Sequence, residues 1–265
     1  MRGTNQKYEG YQDRMNILLT NDDGIQAPGL RALDKALRDA GHTVQVVAPV
    51  SEQSAVGHAV TMAMPLKVKQ FRENGFCGIG VNGTPVDCVK LALAQLLEQA
   101  PDLVVSGINS GCNVGVDIIY SGTVSAATEG ALMGLPALAV SLDDWNFTDA
   151  SEQAAWTAEF VGRMAWGQLP AQSVLNLNFP NLPLGEAKPL TVCRQTTAAY
   201  RDWYVARKDP RGRDYYWLEG EIPREKVSPD TDRALLWDGH ITLTPLRFNF
   251  TDSEMLVRLR ALALR

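Results

Sequence analysis

Hydrophobic positions along this chain fall into short apolar runs separated by longer amphipathic stretches, which predicts strands alternating with helices. Asn16–Thr20 is the first run, and a continuous apolar run of that length suits a central strand covered on both faces. It stops at Asn21-Asp22-Asp23-Gly24, four turn-forming residues in a row. A helix follows, with Pro28 at its first position, Leu30, Leu33 and Leu37 along one stripe, and Gly41 at its end. Thr43–Ala48 repeats the buried-strand pattern and Pro49 closes it. Ala59–Val68 alternates loosely and breaks at Pro65, as an arm or hairpin would.

The alternation continues. Gly78–Asn82 reads as a strand, and Pro85–Glu98 as a helix with Val86, Val89, Leu93 and Leu97 inward and Thr84 as its N-cap. Asp102–Ser106 is a strand that empties into a long loop, Gly107–Tyr120, rich in Gly and Asn. Ser121-Gly122-Thr123 then opens a helix of small residues running through Ala126, Ala127, Gly130 and Ala131. Pro136–Ser141 is a strand, Ser151–Trp166 an amphipathic helix, and Val174–Phe179 the last strand of the apparent core. From Leu182 the composition changes. Arg194–Arg233 mixes Tyr200, Trp203, Tyr204, Tyr215, Tyr216 and Trp217 with Arg, Lys and Asp, and Arg211-Gly212-Arg213-Asp214 sits within it like a hairpin turn. His240–Leu246 is a strand and Ser253–Leu262 a terminal helix. Three regions are expected: a disordered extension over 1–14 before a natural beginning at Met15, a core over 15–182, and a C-terminal extension over 183–265.

Composition narrows the class. The 265 residues, 45% hydrophobic and 21% charged, suffice for one large α/β domain with an appendage. A net charge of −5 argues against a general nucleic-acid surface. Cys77, Cys88, Cys112 and Cys193 lie far apart with no C-x-x-C pair, which points to reduced thiols in a cytoplasm rather than zinc or a disulfide framework. No apolar run approaches the ~20 residues needed to span a bilayer, so no membrane is expected.

Two places carry candidate chemistry. Asp22 and Asp23 sit just past the carboxyl end of the first strand, where open α/β sheets bind ligands. Turn chemistry plus a helix cap is the bland alternative. Pro28, however, puts the helix start several residues beyond the pair, and a turn needs only one such residue. Adjacent carboxylates repel unless something positive lies between them, and oxygens on a tight loop suit a hard cation such as Mg²⁺ or Mn²⁺. The second place is Ser121-Gly122-Thr123, where N–H groups at a helix start and flanking hydroxyls can hold phosphate; close packing is the alternative for Gly122 and Gly130. No Lys or Arg occurs between Lys90 and Arg163, from Asn16 to Leu30, or from Ala48 to Leu66. A metal held by Asp22 and Asp23 is therefore the simplest source of positive charge beside a phosphate.

Taken together, Thr20-Asn21-Asp22-Asp23-Gly24, Ala48–Gly57 with Ser54, Gly83-Thr84-Pro85, Ser106-Gly107-Ile108-Asn109, Tyr120-Ser121-Gly122-Thr123 and Thr244-Pro245-Leu246 resemble the SurE family, the stationary-phase survival nucleotidases. The resemblance runs in order from Met15 almost to the end. It implies a Rossmann-like three-layer α/β/α core with a mainly parallel sheet, and a C-terminal arm exchanged between subunits of a homodimer or homotetramer. It also implies a divalent-metal-dependent phosphomonoesterase acting on nucleoside 5′-monophosphates and on 3′-monophosphates, with a side activity on short polyphosphate and no role for duplex nucleic acid. Carried over, Asp22, Asp23, Ser54 and Asn109 would hold one Mg²⁺ or Mn²⁺ per subunit, Asp22 and Asp23 being the catalytic pair, and Ser121, Gly122 and Thr123 would hold the phosphate. Whether Asp22 acts as base or nucleophile stays open, and His58 near the Ser54 loop is either a general acid or a packed strand-edge residue. Two other classes compete: a nucleotide-sensing module, which would need no carboxylate pair, and a dinucleotide oxidoreductase, against which Asn-Asp-Asp-Gly stands where G-x-G-x-x-G belongs.

Overall fold

The computed structural model describes residues 14–262, so the expected disordered extension lies, all but Arg14, outside the described residues. The first half of the chain builds β1 (Asn16–Thr20), α1 (Pro28–Asp39), β2 (Thr43–Pro49), β3 (Val68–Glu73), β4 (Phe76–Val81) and α2 (Pro85–Leu91). Next come β5 (Leu103–Ser110), α3 (Asp117–Tyr120), α4 (Gly122–Leu132), β6 (Ala137–Leu142), α5 (Ser151–Arg163) and β7 (Ser173–Phe179). The remainder adds β8 (Lys188–Val192), β9 (Arg201–Lys208), β10 (Asp214–Glu221), α6 (Asp232–Trp237), β11 (His240–Arg247) and α7 (Ser253–Ala261).

Because successive strand residues point to opposite faces, the unbroken apolar run of β1 feeds two cores at once. Ile17 and Leu19 pack with Leu30, Leu33 and Leu37 of α1 and with α5, while Leu18 packs on the other face with Val89 of α2 and Val124 of α4. The result is the expected three-layer α/β/α arrangement. The sheet runs β3-β4-β2-β1-β5-β6-β7-β11-β8, parallel from β4 to β7, with β3 antiparallel at one edge and β11 antiparallel to β7 near the other. Strand order reverses at β1: β2 lies on one side of it and β5 on the other. The loops leaving β1 and β5 therefore diverge and open a crevice at their carboxyl ends.

Four details differ from the sequence reading. Ala59–Lys67 is irregular, held by Asp87, which accepts from the Thr61 amide at 3.0 Å and its hydroxyl at 2.6 Å; pairing begins only at β3. Thr84 caps α2 as expected, in a reciprocal pair with Asp87, but the α-helix ends at Leu91 and Ala92–Leu96 continues as a π-helical turn. β5 does not stop at Ser106. It continues to Ser110 through a bulge that sets Ser106–Asn109 against Ala139–Ser141. The change at Leu182 marks a shift in composition and not the edge of the sheet, since β8 and β11 join it beyond β7. Only β9 and β10 stand apart among the described strands, as an antiparallel hairpin turning at Asp209–Arg213.

Candidate active site

The turn after β1 explains its own composition. Asn21 does the turn's work, its Nδ2 donating to the Gly24 carbonyl at 3.0 Å, and Gly24 takes φ +99°, a conformation costly for other residues. α1 begins at Pro28 with Ala27 as an N-cap that makes no side-chain bond, so neither aspartate caps it. Asp22 and Asp23 are left over, held at the crevice by the fold.

Three other segments converge on them. The loop after β2 is tied down by Gln53 N–H donating to the Asp22 carbonyl at 2.8 Å, which brings Ser54 alongside. Gly57 N–H donates to the Tyr120 carbonyl at 2.9 Å and fixes the same loop to α3. At the β5 bulge Gly107 takes φ +140°, and a Cβ there would fall 2.3 Å from the Val140 carbonyl oxygen. Just beyond it Asn109 donates its Nδ2 to the carbonyls of Ser110 at 3.2 Å and Gly111 at 2.6 Å, which fixes the orientation of its amide and leaves the oxygen outside these bonds. The loop that follows is pinned from beneath: Asn113 N–H donates to Asn178 Oδ1 and its Nδ2 to Ser141 Oγ, both at 2.8 Å, and its carbonyl accepts from Asn176 Nδ2 at 2.8 Å.

Asp22 is 5% exposed and lies under the start of α4. The Thr123 hydroxyl donates to it, and a Cβ on Gly122 would come 2.7 Å from its own Cβ. Burial raises the Asp22 pKa above the ordinary carboxylate range, while the Thr123 hydroxyl and the N–H groups of Thr123 and Gly122 work the other way. Asp23 accepts the Ser110 N–H at 3.1 Å; burial first, then the charge of Asp22, push its pKa up to about 7. These carboxylates favour a proton or a cation between them. Ser54 stands at the exposed rim with its hydroxyl donating to Glu52 at 2.5 Å, and Ser121 caps α4 by accepting the Val124 N–H at 3.1 Å. Gly130, by contrast, is a packing residue: a Cβ there would strike Val104 at 2.7 Å.

Asp22, Ser54, Asn109 and Ser121 line one cleft of about 400 Å³, with Asp23, Gly122 and Thr123 directly behind. The predicted residues thus come together from four segments. His58 does not join them: its Nε2 pairs with Glu129 at 2.9 Å, and Lys90 holds the other oxygen of that carboxylate, which fits the packed alternative. Among the described residues no group of three or more His, Cys, Asp and Glu is set to hold a metal. The donor set here is two carboxylates with a neutral amide and hydroxyl oxygen, a mixture that hard cations accept.

Sequence reading missed the far wall. Arg233 of α6 is 7% exposed and lines the cleft with Tyr200, Asp117, Asp143, Cys112 and Trp145. Its Nη2 donates to Asp117 and to the Val114 carbonyl at 3.1 Å. Burial, then a bond to Asp117, push the Tyr200 phenol up to about 12, and burial with Asp143 raises the Cys112 thiol. Neighbouring Asp232, fully buried, accepts N–H groups of Gly115, Thr196 and Arg233 at 2.8, 2.9 and 2.8 Å, fastening the C-terminal segment to the cleft loop. No local motif announces the bonds from Arg233 and Asp232 to the cleft loop, which span 116 to 119 residues of chain.

A family model described as survival protein SurE matches residues 17–202, more than half of the chain. The chain belongs to the SurE family. A SurE named 5′-nucleotidase from Solidesulfovibrio magneticus is 64% identical over 247 residues, covering 93% of this chain and 97% of the relative. One of the same name from Maridesulfovibrio salexigens is 62% identical, covering 92% and 98%. The crystal structure of SurE from Aquifex aeolicus superimposes with a TM-score of 0.79 at 37% identity, over 93% of this chain and 99% of that one. The α/β fold is therefore that of a solved SurE.

Proposed function

We propose that this SurE-family protein is a 5′-nucleotidase, hydrolysing nucleoside 5′-monophosphates to nucleoside and phosphate with the help of one divalent cation, Mg²⁺ or Mn²⁺, per subunit. Its enzyme class follows from relatives at 62–64% identity that carry the name 5′-nucleotidase SurE over nearly their whole length. The observation that carries the chemistry is the pair of buried Asp22 and half-buried Asp23 at the strand-order switch, with the Asn109 amide and the Ser54 loop drawn up beside it. A cation held by these residues would supply Lewis acidity toward a phosphoryl oxygen and a water molecule.

The chain's own residues do the rest. Asp22 and Asp23 supply charge, and Asn109 Oδ1 and Ser54 Oγ supply neutral oxygens. At the α4 start the Ser121 hydroxyl orients phosphoryl oxygens and steadies charge that develops on them. The Thr123 hydroxyl and the Gly122 and Thr123 N–H groups hold Asp22 in the metal-free chain, and would be released to the phosphate once a cation takes that carboxylate. The Asn113 network keeps the Asn109 loop rigid, so little reorganisation is needed during reaction. Hydrolysis of 3′-monophosphates and of short polyphosphate belongs to the same reading, since an open cleft that grips phosphate first tolerates different leaving groups. A dinucleotide oxidoreductase fits poorly, because two adjacent carboxylates occupy the turn where a pyrophosphate would lie.

Trp203, Tyr204, Tyr216 and Trp217 on the β9–β10 hairpin are exposed, as are Phe250 and Val257 near and within α7. Such a surface supports a homodimer or homotetramer formed through the C-terminal arm. No described helix is long and apolar enough to cross a membrane. The dispersed thiols favour a cytoplasmic setting. Phosphate release from nucleoside monophosphates, with and without a chelator, tests the proposal.

A further inference from the structure

The cleft holds more negative than positive charge. Asp22, Asp117 and Asp143 line it, Asp23 lies behind, and Arg233 is the one cationic side chain among the described residues of its wall. Burying a guanidinium is costly unless its donors are matched. Here the match among the described residues is incomplete: Nη2 serves Asp117 and Val114, Nε is sealed from solvent without a partner, and Nη1 makes no hydrogen bond and stays accessible. The group is nonetheless held firmly. Its Cζ sits 5.7 Å from the Trp237 ring and 6.0 Å from the Tyr200 ring, and Asp232 anchors its backbone N–H. A guanidinium fixed in the cleft wall with its Nη1 unpaired and accessible is the arrangement that recognises an oxyanion.

We propose that Arg233 binds a non-bridging oxygen of the substrate's phosphate and is a substrate-specificity residue of this enzyme, with Asp117 as the carboxylate that occupies its guanidinium until phosphate arrives. This rests on the phosphomonoesterase reading above. It assigns the C-terminal segment, through α6, a direct part in the site otherwise built from β1, β2, β5 and α4. Asp117 and phosphate then compete for one guanidinium, so removing the carboxylate frees the cation for the anion. A merely structural ion pair predicts the opposite, because losing either partner would loosen the same wall equally.

The test uses the full-length protein with saturating Mg²⁺ or Mn²⁺ and inorganic phosphate as probe. Arg233→Gln is expected to raise the Ki of phosphate and the KM of nucleoside monophosphate about tenfold or more, with a smaller change in kcat, and to leave binding of the uncharged nucleoside within about twofold. Arg233→Lys should recover part of the loss, since it keeps the charge but not the fork. Asp117→Asn should leave phosphate inhibition unchanged or stronger although it breaks the same pair. Unchanged Ki and KM in Arg233→Gln would overturn the proposal. If Arg233→Gln does not fold, weaker phosphate inhibition in Asp117→Asn overturns it instead. Should the wild-type protein release no phosphate from any nucleotide, the functional reading fails; calorimetric titration of inorganic phosphate into wild type and Arg233→Lys still decides the role of Arg233, equal affinities counting against it.

Discussion

Substituting Asp23 by Asn should stabilise the metal-free protein, and do so only above the pH at which the free carboxyl ionises. In the folded chain Asp23 is held near 7 against an ordinary 3.8, chiefly by burial and then by Asp22. Between those values the folded state keeps a proton that the unfolded state has lost. Unfolding there releases a proton, and stability falls as pH rises from about 4 to about 7. The full rise corresponds to about 4 kcal/mol; relaxation of Asp22 and access of water to this partly exposed group bring the expected gain to about 2–4 kcal/mol at pH 8. For a chain of this size that is roughly 5–15 °C in Tm. At pH 4 the folded carboxyl is protonated and the unfolded one, with its ordinary 3.8, is still close to half protonated, so the gain should shrink below about 1 kcal/mol. Asn keeps an oxygen for the Ser110 N–H, so the fold should survive. The assay is thermal unfolding with chelator at pH 4, 6 and 8, repeated at pH 8 with Mn²⁺, which should raise the wild-type Tm more than that of the variant. A gain equal at pH 4 and pH 8, or a loss at pH 8, would refute the reasoning.

Asp22→Asn should lower kcat about a thousandfold with an unchanged circular dichroism spectrum, and Ser54→Ala roughly tenfold; wild-type turnover in Asp22→Asn at saturating metal would remove it from the ligand set. Asp232→Ala leaves three backbone N–H groups without their acceptor and should cost about 3–5 kcal/mol in urea unfolding, a loss under about 1 kcal/mol showing that those bonds are dispensable. Replacing the hairpin 201–221 by a short Gly-Ser linker, which keeps Tyr200 and Asp232, should reduce the mass seen by light scattering. An unchanged mass would exclude the hairpin as the subunit contact.

The near side of the cleft was readable because its signals are local. β1 is an apolar run followed by more carboxylates than a turn requires, and α4 begins with a capping serine before small residues that let it approach Asp22 and Val104. Strands hidden from the pattern were those with little to bury: five of the six residues of β3 are exposed, and no residue of edge strand β8 is fully buried. The end of β5 was misread for a different reason. Gly107 looks like a breaker, yet here it permits a close approach to β6 that no Cβ would allow, and the strand continues. The far wall lay beyond any local rule, because Arg233 reaches Asp117 across 116 residues only after β11 has added to β7.

The Asp22–Asp23 pair, on this proposal, serves a cation in phosphate-ester hydrolysis. The most direct measurement is phosphate release from a nucleoside 5′-monophosphate by purified protein, first stripped with chelator and then titrated with Mg²⁺ or Mn²⁺. Activity should vanish on stripping and return along a saturable metal curve in the wild type, and should stay absent at every metal concentration in Asp22→Asn. Undiminished phosphate release after exhaustive chelation would contradict it.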